Sequence, residues 1–285
     1  MYKNPFNYIG AKYRLLPQLL PLFPPNITTF VDLFGGSGEV TLNTEAKHYI
    51  YNEKCYPLVN IFKNMDKQFK TEVEATIKKW KLTKTSKEEF LALRSYYNSN
   101  RQTMSDRESA VVLYCLLTHA FNYQIAYNSK GEYNMPSGTG RSYYSPQLAK
   151  KLEDYISALE NKDIIFSSMD FTNFDVGQYG NSDEVFLYAD PPYLITCGAY
   201  ERDYFCKWNN NYEIALYLFL DNLNEQGYKW ALSNVMIHKG KENKMLQEWS
   251  KKYTVHYLNI DYKNCNYHTK DKSANSSVEV LITNY

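Results

Sequence analysis

The sequence is short of cysteine, of long apolar runs and of net charge, and each shortage excludes a class of protein. Its five cysteines are an odd number without a C-x-x-C pair, which argues against a disulfide framework and against a zinc site. It has no apolar run of about 18 residues, which a membrane-spanning helix needs, and its first residues lack the apolar region of a secretory signal. We therefore expect a soluble, cytoplasmic protein with no metal and no membrane partner.

The long spacing G-x-G-x-x-G is also missing, which counts against a nicotinamide-dependent oxidoreductase. Aromatic residues, in contrast, are abundant: they make up 16% of the chain and include 28 tyrosines, too many for a disordered protein. The 285 residues are enough for one large domain, or for one domain with an insertion, around a sizeable core.

The small net charge of +1 hides an uneven distribution. Residues 61–151 carry 15 Lys and Arg against 8 Asp and Glu, a net +7, whereas the remaining residues carry 17 against 23, a net −6. A basic middle within an acidic frame indicates a polyanionic partner for the middle. The alternative is a solvated helical face, which is common in Lys-rich segments.

The stretch Val185–Tyr193 combines a buried strand with a stiff loop. Its apolar and aromatic first half predicts the strand, and Asp190-Pro191-Pro192-Tyr193 ends it, because proline fixes φ and has no N–H to donate. Ligands of open α/β sheets bind at the carboxyl ends of strands. There the carboxylate and the Pro191 carbonyl can accept both hydrogens of an exocyclic amine while the Tyr193 ring stacks on its base. A proline-rich turn after a core strand is the alternative.

A second site pattern occupies the first part of the chain. A predicted strand from Thr29 runs into a Gly-rich turn ending at Gly38, and a helix begins near Glu39. Glycines allow positive φ and a close backbone approach to a ligand at the helix N-terminus. A further predicted strand, Tyr49–Tyr51, ends beside Glu53, whose carboxylate can accept hydrogen bonds from both hydroxyls of a ribose. A generic loop is the alternative for the turn taken alone.

The basic middle of the chain is predicted to be helical. The apolar spacing predicts helices over residues 57–82, Ser86–Asn98 and Asp106–Phe121, and the last is apolar all round, as a buried helix is. In the segment that follows, up to Pro136, Ser-Lys-Gly between Tyr- and Asn-rich flanks predicts a hairpin. A polar, aromatic hairpin on a basic helical segment is suited to a DNA groove, and an exposed hairpin with no ligand is the alternative.

In the rest of the chain, predicted helices alternate with predicted strands. We predict helices at Ser145–Leu159, Asn211–Leu223 and Asn243–Lys251, strands at Asp163–Ser167 and Gly227–Ser233, and an antiparallel pair at Val255–Tyr262 and Val278–Tyr285. The polar, aromatic segment Thr196–Asn211 is suited to close over a base or to bind the strand that the base has left; an ordinary surface loop is the alternative.

Taken in order, these motifs resemble those of Dam-type DNA adenine methyltransferases, the D12 class. The chain has an aromatic-x-G-x-K motif at Tyr8–Lys12, then G-G-x-G, then the helical insert, and then F-N-x-x-x-x-Y-N-x-x-G-E-[FY]-N-x-P without a gap at Phe121–Pro136. Asp170-Phe171, D-P-P-Y and finally Ser233-Asn234 follow. Each motif alone is weak evidence. Their order, which is the alpha arrangement of amino-methyltransferases, covers nearly the whole chain.

The resemblance implies an α/β, Rossmann-like, S-adenosylmethionine-dependent sheet with an antiparallel C-terminal strand, plus a helical DNA-recognition insertion with a β-hairpin. It divides the chain into catalytic residues 1–56, an insertion at 57–144 and catalytic residues 145–285. The implied reaction is direct methyl transfer to adenine N6 in a short duplex DNA site after base flipping. Double-stranded DNA is the implied partner, a restriction endonuclease a further one, and the chain is expected to be a monomer or a weak dimer.

The resemblance also assigns three groups of site residues. The catalytic group is Asp190, Pro191, Pro192 and Tyr193. The group for the cofactor, S-adenosylmethionine, is acidic and aromatic, as suits a cationic donor: Tyr8, Lys12, Asp32, Phe34, Gly36, Gly38, Glu53, Asp170, Phe171 and Asp190. The DNA-binding group is Asn7, Asn122, Gln124, Ala126, Tyr127, Asn128, Lys130 and Asn134.

Two positions depart from the members of that family that recognise GATC. Those members have an arginine where this chain has Ala126 and a lysine where it has Asn7, and both are associated with reading guanine. We therefore expect a different short site. Two further alternatives stay open: a cytosine-N4 methyltransferase, in which serine more often replaces Asp190, and a catalytically silent DNA-binding module of the same fold.

Overall fold

One mixed β-sheet forms the centre of the protein in the computed structural model, which describes residues 1–6, 8–199, 204–205, 208–259 and 277–285. Within those ranges the sheet has eight strands: β1 Ile27–Asp32, β2 Ala46–Asn52, β3 Ile164–Ser167, β4 Val185–Ala189, β5 Lys229–His238, β6 Lys241–Glu242, β7 Thr254–Leu258 and β8 Ser277–Thr283. Their order is β3-β2-β1-β4-β5-β8-β7, with β6 paired to β5.

The pairing of the strands sets the position of the site. Neighbours from β3 to β5 run parallel, and β8 is antiparallel to both β5 and β7, which confirms the predicted Rossmann-like α/β sheet with an antiparallel C-terminal strand. From β1 the chain moves outward through β2 and β3, and it then returns to place β4 on the other side of β1. This reversal opens a crevice at the carboxyl ends of β1 and β4, where open α/β sheets bind ligands.

Helices cover both faces of the sheet. They are α1 Leu16–Leu19, α2 Glu39–Asn43, α3 Tyr56–Lys63, α4 Lys67–Lys79, α5 Lys87–Asn100, α6 Asp106–His119, α7 Pro146–Glu160, α8 Asn210–Glu225 and α9 Lys244–Trp249. On one face Val31 and Leu187 belong to the same buried cluster as Leu220 of α8. On the other face Phe30 and Phe186 belong to a cluster that includes residues of α1.

The predicted helix over residues 57–82 is wrong in one respect, because it is two helices, α3 and α4. Asp66 separates them: its carboxylate accepts hydrogen bonds from the Gln68 N–H at 2.9 Å and the Phe69 N–H at 3.0 Å, so it caps a new helix. The helices α3 to α7 contribute to one hydrophobic cluster, and α6 is buried along most of its length, as its apolar sequence predicts.

The predicted hairpin forms a turn but not a regular ladder. Between residues 122 and 136, all of which the structure describes, the pairing of Tyr127 with Tyr133 is an isolated bridge. The turn itself is present, since the Gly131 N–H donates to the Asn128 carbonyl at 2.9 Å. The side chain of Asn98 in α5 binds both the N–H and the carbonyl of Tyr133, at 2.9 and 3.0 Å, and so attaches this side of the turn to α5.

One further difference and one confirmation concern the last strands. Strand β5 continues five residues past its predicted end at Ser233, because residues up to His238 pair with β8 across a bulge. The predicted antiparallel pair is confirmed by β7 and β8, and the part of that prediction that falls on residues 260–262 lies outside the described residues.

Candidate active site

A cavity of about 360 Å³ opens at the carboxyl ends of β1 and β4. Its lining brings together residues from the N-terminal segment, the Gly-rich turn, the hairpin and the D-P-P-Y loop. The predicted site residues in that lining are Tyr8, Lys12, Asp32, Phe34, Gly36, Glu53, Gln124, Tyr127, Asp170, Phe171, Asp190, Pro191, Pro192 and Tyr193.

The D-P-P-Y loop begins where β4 ends, and its carboxylate is held at both oxygens. The Lys12 ammonium donates to Oδ2 of Asp190 at 2.6 Å, and the Tyr193 hydroxyl donates to Oδ1 at 3.1 Å. Lys12 also donates to the Gly10 carbonyl at 2.9 Å and lies 5.1 Å from the centre of the Tyr193 ring. Burial raises the pKa of Asp190, and the charge and hydrogen bond of Lys12 oppose that rise.

Asp32, the last residue of β1, has one carboxylate oxygen satisfied and one not. Its Oδ2 accepts a hydrogen bond from the Thr41 hydroxyl at 2.7 Å. Its Oδ1 is buried in the cavity wall, and no donor among the described residues lies within hydrogen-bonding distance. Burial raises the pKa of Asp32 to about 7, against the Thr41 hydrogen bond and with the help of the charges of Asp190 and Glu53. An orphaned oxygen of this kind fits a cationic or hydrogen-bond-donating ligand.

The Gly-rich turn is shaped by tyrosines. Gly36 and Gly38 both have positive φ, of 48° and 69°. A Cβ on Gly36 would lie 2.9 Å from the Tyr8 ring, and one on Gly38 would lie 2.3 Å from the Tyr155 hydroxyl. The Tyr51 hydroxyl donates to the Gly36 carbonyl at 2.7 Å, which fixes the turn further. Gly38 itself caps α2 and does not line the cavity.

Glu53 supports the same turn from the end of β2. One of its carboxylate oxygens accepts from the Gly36 N–H at 3.0 Å and the other from the Cys55 N–H at 2.8 Å. Glu53 also belongs to the lining of the cavity. Glu53 therefore stabilises the turn and also faces the cavity, where the sequence analysis predicts a ligand.

Asp170 follows β3 and is paired with a lysine that the sequence analysis did not single out. Lys54 donates to Oδ2 of Asp170 at 2.6 Å, and the N–H of Thr172 donates to Oδ1 at 3.1 Å. Burial alone would raise the pKa of Asp170, but Lys54 and Thr172 together bring it below its usual value. The only sequence signal for Lys54 was its place directly after Glu53.

Four aromatic rings form one wall of the cavity. The Phe34 and Phe171 ring centres are 5.5 Å apart, and Trp208 lies 5.7 and 5.8 Å from them. Tyr212 in α8 completes the wall, 5.7 Å from Trp208. The sequence analysis assigned the two phenylalanines to the donor. It included Trp208 only as part of the aromatic segment Thr196–Asn211, and it did not single out Tyr212, which no motif marks.

Two buried glutamates position the walls and were also missed. Glu213 in α8 is fully buried and accepts hydrogen bonds from the Trp208 indole N–H at 2.6 Å and the Asn234 amide at 3.2 Å. Glu39 in α2 accepts from the Tyr13 N–H at 2.9 Å, so it anchors the N-terminal segment that carries the site lysine. From the sequence, a glutamate inside a helix is expected to lie on the surface. Its burial becomes visible only in the folded structure.

The predicted DNA-binding residues fall into different environments. Asn122, Lys130 and Asn134 are exposed, Gln124 and Ala126 are half-buried, and Asn7 lies outside the described residues.

Two of the predicted DNA-binding residues, Tyr127 and Asn128, instead help to build the turn. Tyr127 is only 3% exposed, because its ring packs 5.9 Å from that of Tyr133 and 5.1 Å from that of Phe205. Asn128 accepts from the N–H groups of Lys130 and Glu132, at 2.9 and 3.0 Å. These contacts occupy the side-chain oxygen of Asn128, Oδ1, and remove most of the Tyr127 ring from solvent.

Two kinds of feature are absent from the described residues. None of the helices in the described ranges is both long and apolar enough to pass through a membrane. Nor does this part of the chain contain a group of three or more His, Cys, Asp or Glu side chains arranged to hold a metal ion.

The chain is similar to known proteins over most of its length. Residues 8–264 match the family model for D12 class N6 adenine-specific DNA methyltransferases. Modification methylase StsI of Streptococcus sanguinis is 40% identical over 291 aligned residues, and type II methyltransferase M.FokI of Planomicrobium okeanokoites is 43% identical over 289. Modification methylase LlaI of Lactococcus lactis subsp. lactis is 30% identical over 292. Each alignment covers 99% of this chain but 43% of the relative, so the chain spans less than half the length of these relatives.

Proposed function

Because this chain belongs to the D12 class of N6 adenine-specific DNA methyltransferases, we propose that it methylates the N6 amine of adenine in a short site of double-stranded DNA. S-adenosylmethionine is the methyl donor in this proposal. The observation that carries it is the meeting of two groups in one cavity: the Asp190–Tyr193 corner, which is suited to an amine, and the orphaned carboxylate oxygen of Asp32, which is suited to a cation.

The cavity fits the proposed donor in charge and in shape. When bound, S-adenosylmethionine supplies a methyl group made electrophilic by the neighbouring sulfonium. The residues that would hold it are the carboxylates Asp32 and Glu53 and the aromatic wall around Phe34 and Phe171, since cations are attracted both to carboxylates and to aromatic faces. The buried, unsatisfied oxygen of Asp32 is the observation that favours a cationic ligand over a neutral one.

The D-P-P-Y corner prepares the target amine. Asp190 and the Pro191 carbonyl accept its two hydrogens, and the ring of Tyr193 stacks on the base, so the nitrogen lone pair is left free. After the nitrogen has gained its fourth substituent, the Asp190 carboxylate takes the surplus proton. The residues form no covalent bond to the base, and the rate gain comes mainly from alignment.

The base reaches this corner by leaving the DNA stack. Extrusion costs a few kcal/mol, which stacking on Tyr193 and the amine hydrogen bonds offset. The basic helical insertion binds the DNA backbone, and the exposed Asn122, Lys130 and Asn134 stand at its hairpin. We retain the division into residues 1–56, 57–144 and 145–285 as part of the proposal.

The recognition site and the biological setting belong to the same proposal. Ala126 has no group that can bind guanine, so the site differs from GATC. The relatives are named as modification methylases and as a type II methyltransferase, and the chain would accordingly protect DNA from a restriction endonuclease.

Labelled methyl transfer tests this function. The purified chain, mixed-sequence duplex DNA and S-adenosylmethionine with a deuterated methyl group are incubated, and the nucleosides are analysed by mass. We expect labelled N6-methyladenine from the wild type, background levels from Asp190→Ala, and retained although weaker donor binding by that variant in calorimetry. Asp183→Ala, which removes an exposed acid, is the matched control.

The other outcomes are equally informative. Near wild-type turnover by Asp190→Ala would refute the role of that carboxylate. Labelled N4-methylcytosine would identify the cytosine alternative, and DNA binding without transfer would identify a silent module.

A further inference from the structure

Lys12 is in direct contact with the catalytic corner. Its ammonium is 2.6 Å from Oδ2 of Asp190 and 2.9 Å from the Gly10 carbonyl, and it lies over the ring of Tyr193. The side chain is 6% exposed and that of Asp190 is 17% exposed, so the pair is shielded from solvent. A shielded pair of this kind is coupled far more strongly than a surface pair.

We propose that Lys12 is a positioning residue that keeps Asp190 in its carboxylate form, so that Asp190 can accept a hydrogen from the target amine. The proposal rests on the function proposed above and adds no chemical step to it. It differs from the role that the family resemblance implies for Lys12, a place at the methyl donor.

The charge state of Asp190 decides whether the amine can react. A carboxylate can only accept hydrogen bonds, so it orients the amine hydrogens and leaves the nitrogen lone pair free. A protonated Asp190 would carry a donor of its own, which could bind that lone pair and remove the nucleophile. Keeping the group ionised in a buried corner is therefore a requirement of the reaction.

The surroundings of Asp190 oppose ionisation, apart from Lys12 and the Tyr193 hydroxyl. The groups that face it are Lys12 from the N-terminal segment, Tyr193 from its own loop, Tyr188 from β4 and Asp32 from β1. Two more acids act on these neighbours, Glu53 on Asp32 and Glu279 on Tyr193. Burial favours the neutral acid and raises the pKa of Asp190, and the opposite charge of Lys12, in contact with the carboxyl, is the largest influence that opposes this rise.

The lysine is held in place by the fold. Its carbonyl accepts the Leu15 N–H at 2.8 Å, in the turn that leads into α1. One residue further on, the Tyr13 N–H is fixed by the buried carboxylate of Glu39, which also binds the Asn4 amide at 2.6 Å. The ammonium therefore approaches Asp190 from an anchored backbone, as a positioning group should.

A pH profile separates this role from a merely structural one. Single-turnover methylation of duplex DNA is measured from acid to alkaline pH for the wild type, Lys12→Met, Lys12→Gln and Lys12→Arg. Removing a contacting opposite charge usually lowers the ionised fraction of a carboxyl by about tenfold or more below its midpoint. We expect Lys12→Met and Lys12→Gln to lose about that factor on the acid side and to recover as the pH rises, and Lys12→Arg to keep most of the acid side.

A variant of a second lysine is the control, and two results would contradict the proposal. Lys54→Met removes a second cavity lysine that pairs with Asp170 instead, so its acid midpoint should match that of the wild type whatever its plateau rate. An unchanged midpoint in both neutral Lys12 variants would overturn the proposal. Faster turnover than the wild type at every pH would overturn it too, because Lys12 would then be occupying the place of the amine.

Infrared spectroscopy provides a readout that needs no activity. At neutral pH the difference spectrum of Lys12→Met minus wild type should show a protonated carboxyl band that is missing from the difference spectrum of Lys12→Met/Asp190→Asn minus wild type. Absence of the band would overturn the inference about Lys12. If the wild type transferred no methyl group to adenine, the proposed function would fail instead, and the band would still decide the charge state of Asp190.

Discussion

Replacing Asp32 by asparagine should change how the stability of the protein depends on pH. Asp32 is 1% exposed, one of its oxygens has no hydrogen-bond donor among the described residues, and burial raises its pKa from 3.8 to about 7. Asparagine keeps an oxygen for the Thr41 hydroxyl but carries no charge at any pH. The variant therefore isolates the free energy that this one carboxylate costs the folded state.

The sign and the size of the expected change in stability follow from proton linkage. Between about pH 4 and pH 7 the folded protein holds a proton on Asp32 that the unfolded chain has released, so the stability of the wild type falls as the pH rises through this window. Within the range from about pH 5 to about pH 8, the folded state holds one proton more than the unfolded state over about two pH units. At about 1.4 kcal/mol per unit, the contribution of Asp32 to the free energy of unfolding falls by about 3 kcal/mol.

Urea unfolding of both proteins, without ligand, measures this difference. We expect Asp32→Asn to be close to the wild type at about pH 5 and more stable than the wild type, by about 3 kcal/mol, at about pH 8. Asp183→Asn, which removes an exposed acid, is the control and should show no such swing. If Asp32→Asn differs from the wild type by the same amount at both pH values, the carboxylate is not buried and neutral as the structure requires.

Two further predictions concern DNA binding and the aromatic wall. Lys130→Ala should weaken DNA binding and lower the slope of log affinity against log salt by about one, measured by fluorescence anisotropy, and an unchanged slope would exclude a phosphate contact at Lys130. Glu213→Leu should free the indole of Trp208, weaken S-adenosylmethionine binding by about tenfold and shift the tryptophan emission. Glu213→Gln, which keeps one acceptor, should do so less, and equal effects of the two variants would show that the hydrogen bond is unimportant.

Much of the fold could be predicted because local patterns coincide with the tertiary structure. The strand–turn–helix at the Gly-rich turn and the strand that ends at Asp190 both depend on residues that only a few conformations accept, glycine and proline. The break between α3 and α4 was missed, because the apolar spacing continues across it while Asp66 caps a new helix. The continuation of β5 was missed because its last residues are held by pairing with β8, which lies far away in sequence.

The candidate site could be predicted in part, for a related reason. Motifs at strand ends pointed to Asp32, Asp170 and Asp190, which the fold gathers around one cavity. Lys54 and Glu213 carry no motif, and their importance comes from partners more than a helical turn away in sequence or in another element. Spacing along the chain cannot reveal such pairs, because burial and contact are properties of the folded protein.

Single-molecule sequencing of DNA that the purified chain has modified tests the central claim most directly, because it reports the methylated base and its sequence context together. The account predicts modified adenines within one short sequence other than GATC, and none after treatment with Asp190→Ala. Modified cytosines, or DNA left unmodified by a folded wild-type chain supplied with S-adenosylmethionine, would contradict it.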